Sequence, residues 1–227
     1  MDDGKLARMR QWMLTEIAVE TACVREQIGK AQLDPQVMDV MGEVPRHVFV
    51  PAAFQAEAYL NQPVPIGCGK TISQPFIVAL MTDLLDIHST DSVLEIGTGL
   101  GYQTAVLSRL ARQVYSVERL AGLAREARQR LDSLGYANIQ TRVGDGYLGW
   151  PEHAPFDRIM VTAAPPQLPP ALLDQLRNGG RMVLPVGPHD HQALMLVRKD
   201  AQGQSSTRVV LPVRFSALEE GEAADLF

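Results

Sequence analysis

The residues best suited to chemistry lie in Glu95-Ile96-Gly97-Thr98-Gly99-Leu100-Gly101, where an acid precedes three glycines spaced two apart. Glycines in such a loop allow a tight turn and let a ligand approach the backbone closely. Glu118 follows, 21 positions after Gly97. A carboxylate there can accept hydrogen bonds from both hydroxyls of a ribose. A third acid, Asp145, sits between Gly144 and Gly146. It can reach an adenine edge, although on its own it also reads as a turn-forming Asp. Upstream, Ser73 and Gln74 directly precede Pro75, at a helix start where free N–H groups favour negative charge. Ser73 can equally serve as a helix N-cap.

Two ligand classes fit the glycine loop. A nicotinamide enzyme carries G-x-G-x-x-G/A, but Tyr102 stands where the third small residue belongs. Glu95 adds negative charge that serves a pyrophosphate poorly and favours the cationic sulfonium and ammonium of S-adenosylmethionine. Arg119 keeps the nicotinamide reading open, because a cation there suits a 2′-phosphate; it also reads as an ordinary strand-end charge.

The flanking elements must deliver these residues to one place. Asp34–Met41 begins as a helix, with Asp34 as cap, Pro35 in the first turn and Val37, Val40 and Met41 on one face. Asn61–Gly69 reads as a Pro- and Gly-rich loop. A helix follows from Pro75. From Ser92 the pattern alternates: strands over Ser92–Ile96, Val114–Glu118, Ile139–Val143, Arg158–Thr162 and Arg181–Val186, and helices over Tyr102–Leu110, Leu120–Leu134 and Leu168–Leu176, with a turn at Gly179–Gly180. Strands over Ala193–Arg198 and Arg208–Phe215 suggest a closing hairpin. The order predicts an α/β fold with a mostly parallel sheet, helices on both faces and an antiparallel edge.

Composition sets the limits. The chain has 227 residues, a formal net charge of −5 and 46% hydrophobic residues, the balance of a globular protein. An acidic balance argues against binding nucleic acid by phosphate neutralisation. No apolar run is long enough for a bilayer, and no signal-peptide pattern follows the charged start, so no membrane partner and a cytoplasmic location are expected. Cys23 and Cys68 cannot build a disulfide scaffold or a four-ligand zinc site, and free thiols are expected. His189 and His191 lack a ligand framework around them, so no metal is expected.

Taken in order, Thr71-Ile72-Ser73-Gln74-Pro75, VLEIGTGLGYQTAVL, Gly144-Asp145-Gly146 and VTAAPPQLPPALLDQLRNGGRMVLPVG closely resemble the protein-L-isoaspartate O-methyltransferase family. The likeness runs from about Val44 to Gly187. It implies a Rossmann-like class I methyltransferase fold with a seven-stranded sheet. It also implies methyl transfer from S-adenosylmethionine to the α-carboxylate of L-isoaspartyl residues in damaged proteins and peptides, by a monomer. Ser73 would orient the substrate carboxylate. Gln74, Phe76, Gly97, Thr98, Gly99, Gly101, Glu118, Arg119, Asp145 and Gly146 would hold the cofactor. Ile66, Ile72, Thr162, Ala163, Val213 and Arg214, with Phe215, would lie along the substrate backbone.

The resemblance also implies a single domain: an N-terminal helical cap and active-site loop over 1–86, a cofactor-binding core over 87–187, and a hairpin and tail over 188–227. Two departures stand out. The family's closing VRF is followed by Val-Pro-Leu, whereas here Ser216-Ala217-Leu218 follows Phe215, which predicts a looser edge over the peptide. Cys68 replaces the usual His or Tyr before the second glycine of its loop, and a small buried filler is expected there. A same-fold methyltransferase for another carboxyl or a small molecule, and a non-catalytic cofactor-binding homologue, are the competing readings.

Overall fold

The computed structural model describes residues 2–221 and 223. The first part folds as α1 (Asp3–Cys23), α2 (Arg25–Ile28), α3 (Pro35–Glu43), a hairpin of β1 (Val64–Gly67) and β2 (Lys70–Ile72), and α4 (Pro75–Leu85). α3 starts as its sequence dictates. The Asp34 side chain accepts the Gln36 N–H at 2.8 Å, and Val37, Val40 and Met41 are buried. α4 is buried almost throughout, packs against two strands of the main sheet (β6 and β7, below), and carries α1 and α3.

The alternating part contains β3 (Ser92–Ile96), α5 (Tyr102–Ser108), β4 (Gln113–Glu118), α6 (Ala121–Ser133), β5 (Ile139–Val143), β6 (Phe156–Val161), α7 (Pro170–Gln175), β7 (Leu176–Val186), β8 (Gln192–Lys199) and β9 (Ser205–Val213). The seven strands lie in the order β5-β4-β3-β6-β7-β8-β9. β3 to β7 are mutually parallel, and β8 runs antiparallel to both its neighbours. One core joins the α1, α3, α4, α5 and α6 side chains to the sheet. A second gathers Leu94, Ile96, Phe156, Ile159 and Met182 under α7. Helices thus cover both faces of a Rossmann-like sheet.

Several local expectations change. The Asn61–Gly69 segment is no simple loop, because Val64 and Ile66 alternate inward as β1. Cys68 is not a buried filler. It sits exposed at the hairpin turn with φ 52°, between two glycines of positive φ. Gly179–Gly180 forms no separate turn. It lies within β7, whose register against β6 shifts between Phe156 and Arg158. β9 starts at Ser205 rather than Arg208, since an exposed edge strand needs ladder partners more than an apolar pattern. Leu134, placed on the inner face of α6 by its spacing, is 39% exposed, whereas Leu123, Ala127 and Leu131 are buried.

Candidate active site

The sheet order reverses at β3, with β4 and β5 to one side and β6 and β7 to the other. In open α/β sheets the crevice beyond the carboxyl ends of the strands at such a point is where ligands bind. A cavity of about 740 Å³ lies there. It joins the glycine loop, the ends of β4 and β6, the β1–β2 hairpin, the N-terminus of α4 and the segment after β9.

The glycine loop is shaped by its neighbours. The Thr162 N–H donates to the Ile96 carbonyl at 2.9 Å. The Thr162 hydroxyl donates to the carbonyls of Ile96 (3.0 Å) and Gly97 (2.8 Å). Gly97 has φ 97°, and a Cβ there would collide with the Thr162 Oγ1. Only glycine meets both demands. Gly97 and Gly99 line the cavity, as do Thr162, Ala163 and Gly146.

Glu118 ends β4 at the cavity wall, 7% exposed. Its Oε2 accepts the Gly99 N–H at 2.8 Å and its Oε1 the Leu120 N–H at 3.0 Å. A carboxylate has about four acceptor positions, so each oxygen keeps spare acceptor capacity.

Thr98 and Gly101 do not line the cavity. The Thr98 hydroxyl turns inward and shares a hydrogen bond with Ser116 Oγ at 2.6 Å. Gly101 packs against α6, where a Cβ would meet Leu131 at 3.2 Å. Glu95, expected beside the ligand, is fully buried beneath the loop and is not part of the cavity wall. Thr104 and Ser116 donate to its Oε2 at 2.5 and 2.6 Å. Burial outweighs these bonds and pushes its carboxyl up to about 8, with help from the nearby Glu118 charge. Glu95 is therefore mostly neutral at pH 7 and supplies little negative field to a ligand.

Ser73, Gln74 and Phe76 also line the cavity. Gln74, not Ser73, is the N-cap residue of α4, and no side chain caps that helix. The Ser73 hydroxyl has no hydrogen-bond partner among the described residues, so the capping alternative does not apply. A polar scaffold fixes this wall: Gln74 Nε2 donates to Glu20 Oε2 at 2.9 Å, Asn61 Nδ2 donates to the same oxygen at 2.6 Å, and the Phe76 N–H donates to Asn61 Oδ1 at 3.0 Å. Sequence reasoning missed Glu20 and Asn61, because their partners lie 15 to 54 positions away. Ile66 lines the cavity, whereas Ile72, paired with Val64 across the hairpin, does not.

Val213, Arg214 and Phe215 line the cavity too. Arg214 is exposed and has no partner among the described residues. The tail beyond them is stitched across the strand ends rather than loose: the Ala164 N–H donates to the Ser216 carbonyl and the Leu218 N–H to the Ala164 carbonyl, at 2.8 and 2.9 Å. Arg119 lines the cavity but pairs with Glu219 at 2.9 Å, and Lys70 binds the other oxygen of that carboxylate at 2.9 Å. These cations hold the Glu219 carboxyl below its usual range, Lys70 most strongly through its hydrogen bond. Asp145 is not part of the cavity wall. It accepts the Tyr147 N–H and, from the tail, the Gly221 N–H, each at 2.8 Å, which is the turn-forming role its glycine neighbours suggest. Lys70 and Glu219 carry no motif signal; their charges alone could have flagged them.

Parallel strands, a glycine loop after β3, an acid ending β4 and a crevice at the switch point define a nucleotide-cofactor-binding enzyme of the class I methyltransferase type. The sequence profile described as protein-L-isoaspartate(D-aspartate) O-methyltransferase matches residues 20–223. Protein-L-isoaspartate O-methyltransferase 1 of Polaromonas sp. strain JS666 is 55% identical over 222 residues, 98% of this chain and 94% of that protein. Protein-L-isoaspartate O-methyltransferase 2 of Syntrophobacter fumaroxidans is 56% identical over 220 residues, 96% of this chain and 89% of that protein.

A solved protein-L-isoaspartate O-methyltransferase superposes with a TM-score of 0.78 at 26% identity, over 92% of this chain and 65% of that one. A Plasmodium falciparum structure named for the same methyltransferase, in complex with S-adenosyl-L-homocysteine, shares the fold with a TM-score of 0.71 at 23% identity, over 89% and 96% of the two chains. The chain belongs to the protein-L-isoaspartate(D-aspartate) O-methyltransferase family.

Proposed function

We propose that this enzyme transfers a methyl group from S-adenosylmethionine to the α-carboxylate of L-isoaspartyl residues in damaged proteins and peptides. One observation carries the reading. The unpartnered Ser73 hydroxyl and the glycine loop with Glu118 line the same cavity.

The residues present fit the cofactor. The cavity has the size of a small-molecule site, Gly97 and Gly99 present bare backbone, and Glu118 keeps acceptor capacity for a ribose diol. Gly97, Gly99, Glu118 and Gly146 would hold the adenosine part, and Gln74 and Phe76 would also contact the cofactor. When bound, the cofactor supplies an electrophilic methyl group on a sulfonium. Thr98, Gly101 and Asp145 are proposed to act behind the wall, through loop and turn shape, and Ile72 by backing the hairpin. Arg119 would act at the ribose side while paired with Glu219.

The chain itself has little proton chemistry to do. A carboxylate titrates near ~4 and is a nucleophile at pH 7 without a general base. The Ser73 hydroxyl would donate a hydrogen bond to one carboxylate oxygen and leave the other facing the methyl carbon. The oxygen that Ser73 leaves free would take the methyl group as an ester, with the C–S electron pair left on the departing sulfur. Ile66, Thr162, Ala163, Val213 and Arg214 would align the peptide backbone and exclude water. The rate gain then comes chiefly from alignment. The ester can close to a succinimide whose hydrolysis returns part of the material to normal aspartate, which is the repair.

The enzyme is proposed to act as a monomer. Among the described residues no helix is long and apolar enough to cross a membrane, in keeping with action in the cytoplasm. The test uses radiolabelled S-adenosylmethionine and two peptides that differ only in isoaspartyl against aspartyl linkage. Label should enter the isoaspartyl peptide alone; equal or absent labelling refutes the function.

A further inference from the structure

Arg46 opens a 3-10 turn, Arg46–Phe49, and is fully buried. No carboxylate among the described residues pairs with it. Instead Nε donates to the Ala58 carbonyl and Nη2 to the Ser73 carbonyl, each at 2.7 Å. The guanidinium lies 4.8 Å from the centre of the Tyr102 ring, and Nη1 has no hydrogen-bond partner. Burial lowers its pKa to about 10, so it stays a cation at neutral pH. A buried charge without a counter-ion is expensive, and well-packed apolar side chains commonly replace such groups at no loss. Stability alone is therefore a poor reason for an arginine here.

What Arg46 touches supplies a better one. Ser73 carries the free hydroxyl of the site. Tyr102 is the first residue of α5, immediately after the glycine loop. Ala58 belongs to the segment leading into the β1–β2 hairpin. One rigid side chain thus joins the wall bearing the hydroxyl to the helix that follows the cofactor loop. The planar fork is needed for this. It donates in two directions in its plane and stacks on a ring, which a lysine ammonium cannot do together.

We propose that Arg46 is a positioning residue for methyl transfer. By holding the Ser73 backbone against Ala58 and α5, it fixes the distance between the hydroxyl and the bound methyl donor without touching the substrate. This rests on the Ser73 assignment made above.

The test is a double-mutant cycle of Arg46→Lys with Ser73→Ala, read as kcat and KM on an isoaspartyl peptide, with S-adenosylhomocysteine affinity and thermal midpoint measured in parallel. Displacements near 1 Å can cost about 100-fold in rate. Arg46→Lys should therefore lower kcat by about 10- to 100-fold, with cofactor affinity within about twofold. In the Ser73→Ala background the same change should lower kcat by less than about threefold, because the group it positions is gone.

Equal losses in both backgrounds, or an unchanged kcat for Arg46→Lys, overturn the proposal. If Arg46→Lys does not fold, Arg46→Gln carries the cycle, and failure of both to fold assigns Arg46 to stability and overturns it too. A wild-type chain that leaves the isoaspartyl peptide unmethylated refutes the underlying function instead, so the two failures are distinct.

Discussion

Replacing Glu118 by alanine separates the two jobs its carboxylate does. In the free protein each oxygen already accepts one backbone N–H, from Gly99 at 2.8 Å and Leu120 at 3.0 Å. Glu118 lines the cavity, and a ribose diol bound there would use the remaining acceptor positions. Hydrogen bonds to a charged group are worth about 1.5–3 kcal/mol net, and a tenfold change in affinity is about 1.4 kcal/mol. Loss of the ribose contacts should therefore weaken S-adenosylhomocysteine binding by about 10- to 150-fold.

The two stranded N–H groups add about 1–3 kcal/mol of destabilisation, a few degrees in thermal midpoint for each kcal/mol in a chain of this size. Isothermal calorimetry well below that midpoint measures the first effect without the second. An unchanged affinity in a folded Glu118→Ala protein would remove Glu118 from the cofactor site and refute the reasoning.

Two further substitutions probe other parts of the account. Ser73→Ala should lower kcat on an isoaspartyl peptide by about 100-fold or more if its hydroxyl aligns the carboxylate, while S-adenosylhomocysteine affinity in calorimetry stays within about twofold; a collapse of that affinity would move Ser73 to the cofactor side. Glu95→Gln should flatten the pH dependence of stability. The Glu95 carboxyl is raised in the fold from 4.5 to about 8, so the folded protein binds the extra proton and loses stability as pH rises from about 4.5 to about 8, in total on the order of a few kcal/mol. Thermal denaturation at pH 5 and pH 8 should show the glutamine protein gaining on the wild type at the higher pH, and a constant difference would show that Glu95 is not held protonated by burial.

The sequence carried the sheet well, because buried parallel strands such as Ser92–Ile96 are apolar and are bounded by clear breakers. It carried the hairpin badly: Pro65, Gly67 and Gly69 look like loop residues, and only inward alternation of Val64 and Ile66 marks a strand. At the candidate site, spacing singles out the glycine loop and Glu118, and the family motif singles out Ser73; all of them line the one cavity. The charge of Glu95 was misread, since a sequence shows an acid but not the burial that neutralises it. Arg46, Glu20, Asn61 and the Lys70–Glu219–Arg119 cluster were invisible for one common reason. Each acts through partners 12 to 149 positions away, and no local pattern encodes such pairings.

The most direct measurement locates the methyl group itself. A single peptide containing one isoaspartyl, one aspartyl and one glutamyl residue is incubated with the enzyme and S-adenosylmethionine, quenched in acid to preserve esters, and fragmented in a mass spectrometer. The account predicts a methyl ester on the α-carboxylate of the isoaspartyl residue and on no other group. A methyl group on the aspartyl or glutamyl side chain, or on a nitrogen, contradicts it.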